Sequence, residues 1–473
     1  MTKDNSGKVG AKVMVGYAMG AMPDSAAYNL FYVYFLYFIT DLVGLSPFLA
    51  GAISLIVIIW DAISDPIVGY LSDNWKSKRG RRRPFMFFAL FPIAATMTLL
   101  FVAVDFGTAL TFLYYVVMGI LYWTAYKIFV IPYYALGAEI TNDFDQRTNL
   151  RGASGFVMYL AMWLVSAGPM VMIDRMTFAG FEETTGWTVA GLVLGIISLV
   201  CGLWCWWSTK GRELVDTKAD FQFEENAKIL RNYIELFKLK AIRLFLLMTF
   251  IYNIAFAIAL AAFVYIMDNN LGLSEMQQAF YWTCYAIITI IFVPIVNLLA
   301  NKIGKKNAMI YTTVVAIIGC FIFYFTGIHS FAHLLVFTAL YNFGNVCYWT
   351  VGYSLMYDCT EIDEYANNKR REGAITGFSS FMQKFGGAVG LYTTGTLLGI
   401  FGYDGTIGDQ SPQALQGILT VNTMIPGIIM IIGTIFIALY PINKTRFNKL
   451  IDVIARRNAG ESFEEDEDIK KLF

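Results

Sequence analysis

Histidine is almost missing from this chain. Two occur in 473 residues, His329 and His333, close together in one stretch. That excludes imidazole clusters for metal, and with both near the outer loop before the tenth apolar segment it leaves no histidine deep in a span to relay a proton. Charge is scarce as well, at 15% of residues against 57% hydrophobic ones. A mean hydropathy of +0.56 excludes an ordinary soluble domain. The basic residues are scattered over many short loops, which excludes a nucleic-acid-binding face. The six cysteines, Cys201, Cys205, Cys284, Cys320, Cys347 and Cys359, show no disulfide or metal-ligand spacing. Buried free thiols are expected. No small-residue cleavage site follows a short apolar run at the start, so no cleaved leader is expected.

Apolar segments of about 20 residues recur instead, the length a helix needs to cross a bilayer. They fall at 13–41, 46–72, 85–105, 108–138, 153–173, 187–207, 242–268, 276–300, 308–326, 331–357, 374–401 and 416–440. The fold class is all-α integral membrane with twelve transmembrane helices. Of the 35 Lys and Arg, 32 fall on one side of these spans if both termini share that side. The opposite side keeps only Arg175, while Lys127 and Lys384 lie inside spans. This bias places both termini in the cytoplasm of a cell (plasma) membrane protein.

The chain repeats. Tyr134, Leu136 and Glu139 are matched by Tyr353, Leu355 and Asp358, each 219 residues later. Gly80-Arg81 is echoed by Gly304-Lys305. Two six-helix halves, 1–207 and 242–440, are expected to form a pseudo-symmetric major facilitator fold. Residues 208–241 read as a cytoplasmic linker with an amphipathic helix, and 441–473 as a cytoplasmic acidic tail.

Charges inside spans are costly and need a reason. Asp61 and Asp65 sit at i and i+4 on one helix face. Two carboxylates so placed call for a cation nearby. One reading is a structural ion pair with Lys127 or Lys384. The other is a site for a mobile cation or proton. Asp24, Asp61 and Asp65 against Lys127 and Lys384 leave one negative charge, which one monovalent cation would neutralise. Tyr28, Asn29, Trp123, Tyr126, Tyr134, Asn253, Trp349, Tyr353 and Gln383 are candidate cavity liners, with amides for hydroxyls and ring faces for C–H surfaces. Each is equally a core or interface residue in so aromatic a chain. No catalytic constellation is present, so an enzyme is not expected, and a channel suits the repeat less well than alternating access.

The runs DAISDPIVGYLSD, KSKRGRRRPF, IPYYALGAEITND, DCTEIDEY and QKFGG resemble the glycoside–pentoside–hexuronide:cation symporter family, to which the melibiose carrier belongs. The resemblance covers nearly the whole chain. It implies a secondary active transporter, importing a carbohydrate with a cation by alternating access. Asp61 and Asp65 match the paired cation-site carboxylates, with Ser64 between them and Lys384 near both sites. Trp349 and Tyr126 match sugar-site aromatics, and Asp24, Tyr28, Lys127 and Gln383 join them as substrate contacts. Asp358, Glu361 and Arg370 match the charge cluster closing the cytoplasmic side, and Arg81 and Glu139 are assigned to the same gate. The pattern departs at Val130, where such carriers have a third carboxylate, at Lys127 for a threonine, and at Gly155 for a sugar-contacting arginine. The family's carboxylate of the first span aligns with Ser25, one residue after Asp24. Lys127 beside the carboxylates favours H⁺ over Na⁺, with Na⁺ at Asp61 and Asp65 as the other case. Beyond the coupling ion, H⁺ or Na⁺, no cofactor is expected, and the protein is expected to act as a monomer. An anionic sugar such as a uronide is a variant of this reading, and an amphiphile or lysolipid carrier of the same fold is the alternative.

Overall fold

The computed structural model describes residues 9–74, 82–140, 144–212, 233–367 and 371–458, and no strand occurs among them. The first long segment joins α1 (Ala11–Met19), α2 (Ala21–Leu30) and two π-helical turns, Phe31–Phe35 and Phe38–Leu42. Then come α3 (Pro47–Asn74), α4 (Arg83–Leu99), α5 (Thr108–Ile140), α6 (Phe144–Phe178) and α7 (Glu183–Ser208). The second series is α8 (Lys240–Tyr265, extended by a π turn at Ile266–Asn270), α9 (Glu275–Ile303), α10 (Lys305–Thr326) and α11 (Phe331–Cys347). A π turn at Tyr348–Gly352 leads into α12 (Tyr353–Asn367), followed by α13 (Glu372–Ile400), α14 (Pro412–Asn422), α15 (Met424–Leu439) and α16 (Lys444–Asn458). The chain is an all-α, multi-pass membrane protein of twelve spans, as its apolar segments predict.

Two of the sequence-defined loops are shorter than expected. Helix α5 runs to Ile140 and α6 begins at Phe144, so most of 139–152 is helical. Likewise α12 carries the tenth span on to Asn367. Both extensions are polar in sequence, and a helix satisfies its own backbone on leaving the lipid. The linker's expected amphipathic helix and the acidic end 461–473 fall largely outside the described residues.

The residues group into two compact units. Unit 1 is Met1–Phe221, Met267–Thr283 and Gly395–Ala414, and unit 2 is Gln222–Ile266, Cys284–Thr394 and Leu415–Phe473. Close helix packing in unit 1 uses small residues, as membrane helices do where lipid removes the hydrophobic drive. A Cβ at Gly191 would meet the Met97 carbonyl at 2.6 Å, and one at Gly195 the Ala94 carbonyl at 2.8 Å, so only glycine lets α7 press on α4. Aromatic rings fill the interior. Phe31 stacks on Phe35 at 4.3 Å and meets the Trp123 edge at 5.4 Å. Unit 2 is cored by Leu246, Phe245, Met309, Cys347 and Ile437, and Leu450 and Ile454 of α16 bury into it. Arg457 of α16 donates to the carbonyls of Glu364 and Tyr365 near the end of α12. Large apolar side chains face outward, Phe88 at 68% and Phe325 at 79% exposure. That is a lipid-facing surface. All six cysteines are free, and all but Cys284 are buried.

Candidate functional site

Helices α3 and α5 build the charged centre of unit 1. The Trp60 Nε1 donates to Thr124 Oγ1 at 2.9 Å, pinning the two helices. One residue beyond Trp60, Asp61 is buried, and one helical turn later Asp65 is a third exposed. Lys127 of α5 places its Nζ 2.9 Å from Asp61 Oδ1 and 3.0 Å from Asp65 Oδ1. Two carboxylates and one ammonium leave one negative charge. Ser64 donates to the Asp61 backbone carbonyl at 2.9 Å, so its hydrogen is spent within the helix.

A second centre adjoins the first through α5. Asp24 of α2 is buried and accepts from Tyr126 Oη at 2.7 Å and from Tyr134 Oη. The Tyr126 ring also lies 4.9 Å beneath the Lys127 Nζ, and Trp123 is 5.8 Å from it. Tyr126 therefore touches both the carboxylate of one centre and the ammonium of the other. Tyr28 stacks on Tyr32 at 4.5 Å and faces the Trp123 edge at 6.1 Å. Asn29 donates to Ser25 within its own helix, and the Ser25 hydroxyl donates to the Met158 carbonyl of α6 at 2.9 Å. Val130 is buried, while a side chain at Gly155 would meet open space.

In unit 2, Trp349 lies on the π turn between α11 and α12, edge-on to Phe256 at 5.6 Å. Asn253 donates to Tyr348 Oη at 2.6 Å. Gln383 lines a cavity of about 10 Å³ with Thr249, Tyr348 and Ser379, room for about one water. Lys384 follows on α13 and is partly buried. Of the gate residues, Asp358 accepts from Lys305 Nζ at 2.8 Å through both oxygens. Glu361 lies one turn along α12 and is partly buried. Arg81 and Arg370 fall outside the described residues, as does the Glu139 side chain.

One charged centre escapes the sequence. Asp363 is fully buried and accepts from Arg371 Nη2 at 2.6 Å and Nε at 2.9 Å. Arg371 Nη1 reaches Glu235 at 2.8 Å. Hydrogen bonds to Asp363 raise the pKa of this guanidinium. The KRREG run marks Arg371 as a loop cation, and nothing in its spacing points to Asp363.

A buried ion triad on long apolar helices is a costly feature that suits a transport path through a membrane. The family described as MFS/sugar transport protein matches residues 16–444, and this chain belongs to it. It is a membrane transporter of the sugar-transport class. An uncharacterized symporter of Bacillus subtilis is 26% identical over 97% of both chains. A glucuronide carrier protein homolog of Escherichia coli is 26% identical over 94% of this chain and 96% of its own. An isoprimeverose transporter of Lactiplantibacillus pentosus is 23% identical over 92% and 90%. In fold, the chain is similar to the nucleoside transporter NupG, with TM-score 0.64, 15% identity, and coverage of 90% of this chain and 99% of that one.

Proposed function

We propose that this protein imports a glycoside, pentoside or hexuronide across the plasma membrane together with a proton, its termini in the cytoplasm. The observation that carries the coupling is Lys127, whose ammonium bridges Asp61 and Asp65 where a loose cation would sit. A second cation would be repelled from that position. A proton needs no such space. Arriving on Asp65, the more exposed carboxyl, it leaves Asp61 and Lys127 as a neutral pair. The triad then carries no net charge, which lowers the cost of closing it off from water. Release of the proton on the other side restores the negative charge.

The substrate is assigned to the neighbouring centre. Sugar hydroxyls would take over the acceptor sites of Asp24 now used by Tyr126 and Tyr134, and the rings of Tyr28 and Trp123 offer faces for C–H surfaces. Tyr126 links this event to Lys127. Within unit 2, Trp349, Gln383 and Lys384 are the proposed substrate-contacting residues. Glucuronide and isoprimeverose, named for two relatives, keep both hexuronides and neutral glycosides within the class.

Uptake into proteoliposomes tests this, using neutral pentosides, hexosides and hexuronides under a pH gradient or a Na⁺ gradient. Uptake of one sugar class driven by the pH gradient is expected. Uptake that requires Na⁺ and ignores pH overturns the proton assignment. Movement of a lysolipid and of no sugar overturns the substrate assignment.

A further inference from the structure

The ends of the helices far from the basic loops carry a network of their own within unit 1. It joins the end of the first segment, the π turn after α8, and the stretch after α13. Tyr37 Oη donates to Asp268 Oδ2 at 3.0 Å. Asn269 Nδ2 donates to Tyr403 Oη at 3.3 Å, and Tyr403 in turn donates to Asp41. Tyr403 and Tyr37 are buried, at 3% and 8% exposure, Tyr403 in the loop after α13 and Tyr37 between the two π turns.

Two glycines bring the backbones together at the same seam. A Cβ at Gly405 would collide with the Thr40 carbonyl and stand 2.9 Å from Asp41 Cα. A Cβ at Gly395 would collide with the Pro47 carbonyl and stand 3.1 Å from Gly51. The seam is thus backbone against backbone, fastened by hydroxyl–carboxylate and amide–hydroxyl hydrogen bonds. This chemistry differs from that of the aromatic interior. Interdigitated rings must unpack to separate, whereas hydrogen bonds at a loop-bordered seam exchange for water one at a time.

We propose that Tyr403, Asp41, Tyr37, Asp268 and Asn269 are the latch that holds the outer end of this transporter shut, with Gly395 and Gly405 setting its seam. Alternating access requires one end to be closed while the other is open. The charged groups at the basic-loop end serve one closure. The tyrosine–carboxylate network serves the opposite one. The inference rests on the transporter class and on the basic loops facing the cytoplasm. It is independent of which sugar or ion is carried.

Hydrogen–deuterium exchange on the purified protein tests the latch without a substrate. Tyr403→Phe removes the hydroxyl that joins Asn269 to Asp41, and Gly405→Val wedges the seam. Backbone amides in 38–46 and 395–406 should exchange about tenfold faster in Tyr403→Phe, the scale of one lost hydrogen bond to a charged group, and faster still in Gly405→Val. Exchange in α12 should not change. Unchanged exchange at the seam overturns the latch, and so does an equal rise in α12, which would mark a general stability element. A transport readout adds the functional arm. Asp41→Cys with Tyr403→Cys, in a Cys284→Ser background, is bridged by a cleavable bis-thiosulfonate. Sugar uptake should fall at least about tenfold on bridging and return with reductant. Bridged protein that transports as well as unbridged protein overturns the latch. If the exchange pattern holds while no form carries sugar, the latch stands and the substrate assignment falls.

Discussion

Two ion triads in this molecule share a formula and differ in almost everything else. Each sets one cation between two carboxylates. In unit 1, Lys127 contacts Asp61 and Asp65 on a single neighbouring helix, in the middle of an apolar span. In unit 2, Arg371 contacts Asp363 and Glu235, which belong to separate segments near the helix ends. The guanidinium is planar and makes several fixed hydrogen bonds, and the Arg371 backbone N–H adds one to Asp363 at 3.3 Å. Asn367 adds another at 2.8 Å. Such a group is a staple, because it meets the buried Asp363 through several bonds at once and so fixes the geometry of the pair. The ammonium is a point charge on a flexible stem, and it can shift its weight from one carboxylate to the other. The same charge count therefore yields an anchor in one place and a switch in the other.

The sharpest test of that contrast is Asp61→Asn. It removes the buried carboxylate of the two that Lys127 bridges, and coupled uptake in proteoliposomes should fall about a hundredfold, in line with ~3 kcal/mol for breaking a buried pair. If uptake survives, the unit 1 triad is a staple as well. Arg371→Gln should lower stability by about 3 kcal/mol in thermal unfolding in detergent, since Asp363 loses its counter-charge with no water to replace it. Any activity that remains should keep the wild-type choice between H⁺ and Na⁺. A changed choice would break the division into anchor and switch. The smallest effect is expected at Asp65→Asn. With a third of that side chain exposed, water offsets part of the loss, and uptake should drop about tenfold, or ~1.4 kcal/mol.

Much of the architecture is legible in the sequence. Spans show because each needs about 20 apolar residues, and bilayer thickness allows few other solutions. The charges within them show because their cost makes them rare. Asp61 and Asp65 are paired by helical spacing alone, and Lys127 is the one basic residue of the fourth span. The choice among partners is not legible. Asp61 had two candidate lysines, and only the packing of α3 on α5 selects Lys127 as its bridge. Asp24 draws its partners from α5, more than 100 positions away in sequence, so no local pattern announces them. Asp363 is hidden for the opposite reason. It sits in a polar, charge-rich run where any acid looks solvated, and a helix extension that carries it under Arg371 has no apolar signature.

The two π turns of the first segment have a consequence for how this gene tolerates change. Each turn accommodates one residue more than an α-helix of the same height, so the stretch from Phe31 to Leu42 is out of step with the helix before it. Asp24 below and Asp41 above are thereby phased independently, like two clock hands on one shaft. Removing one residue from either turn would relax it to α and leave the side chains beyond it in register, whereas removing one from the α-helical stretch before it would swing every side chain beyond by about 100°. A one-codon deletion should therefore be tolerated inside a π turn, and outside it should leave an inserted protein whose two ends no longer keep the same time.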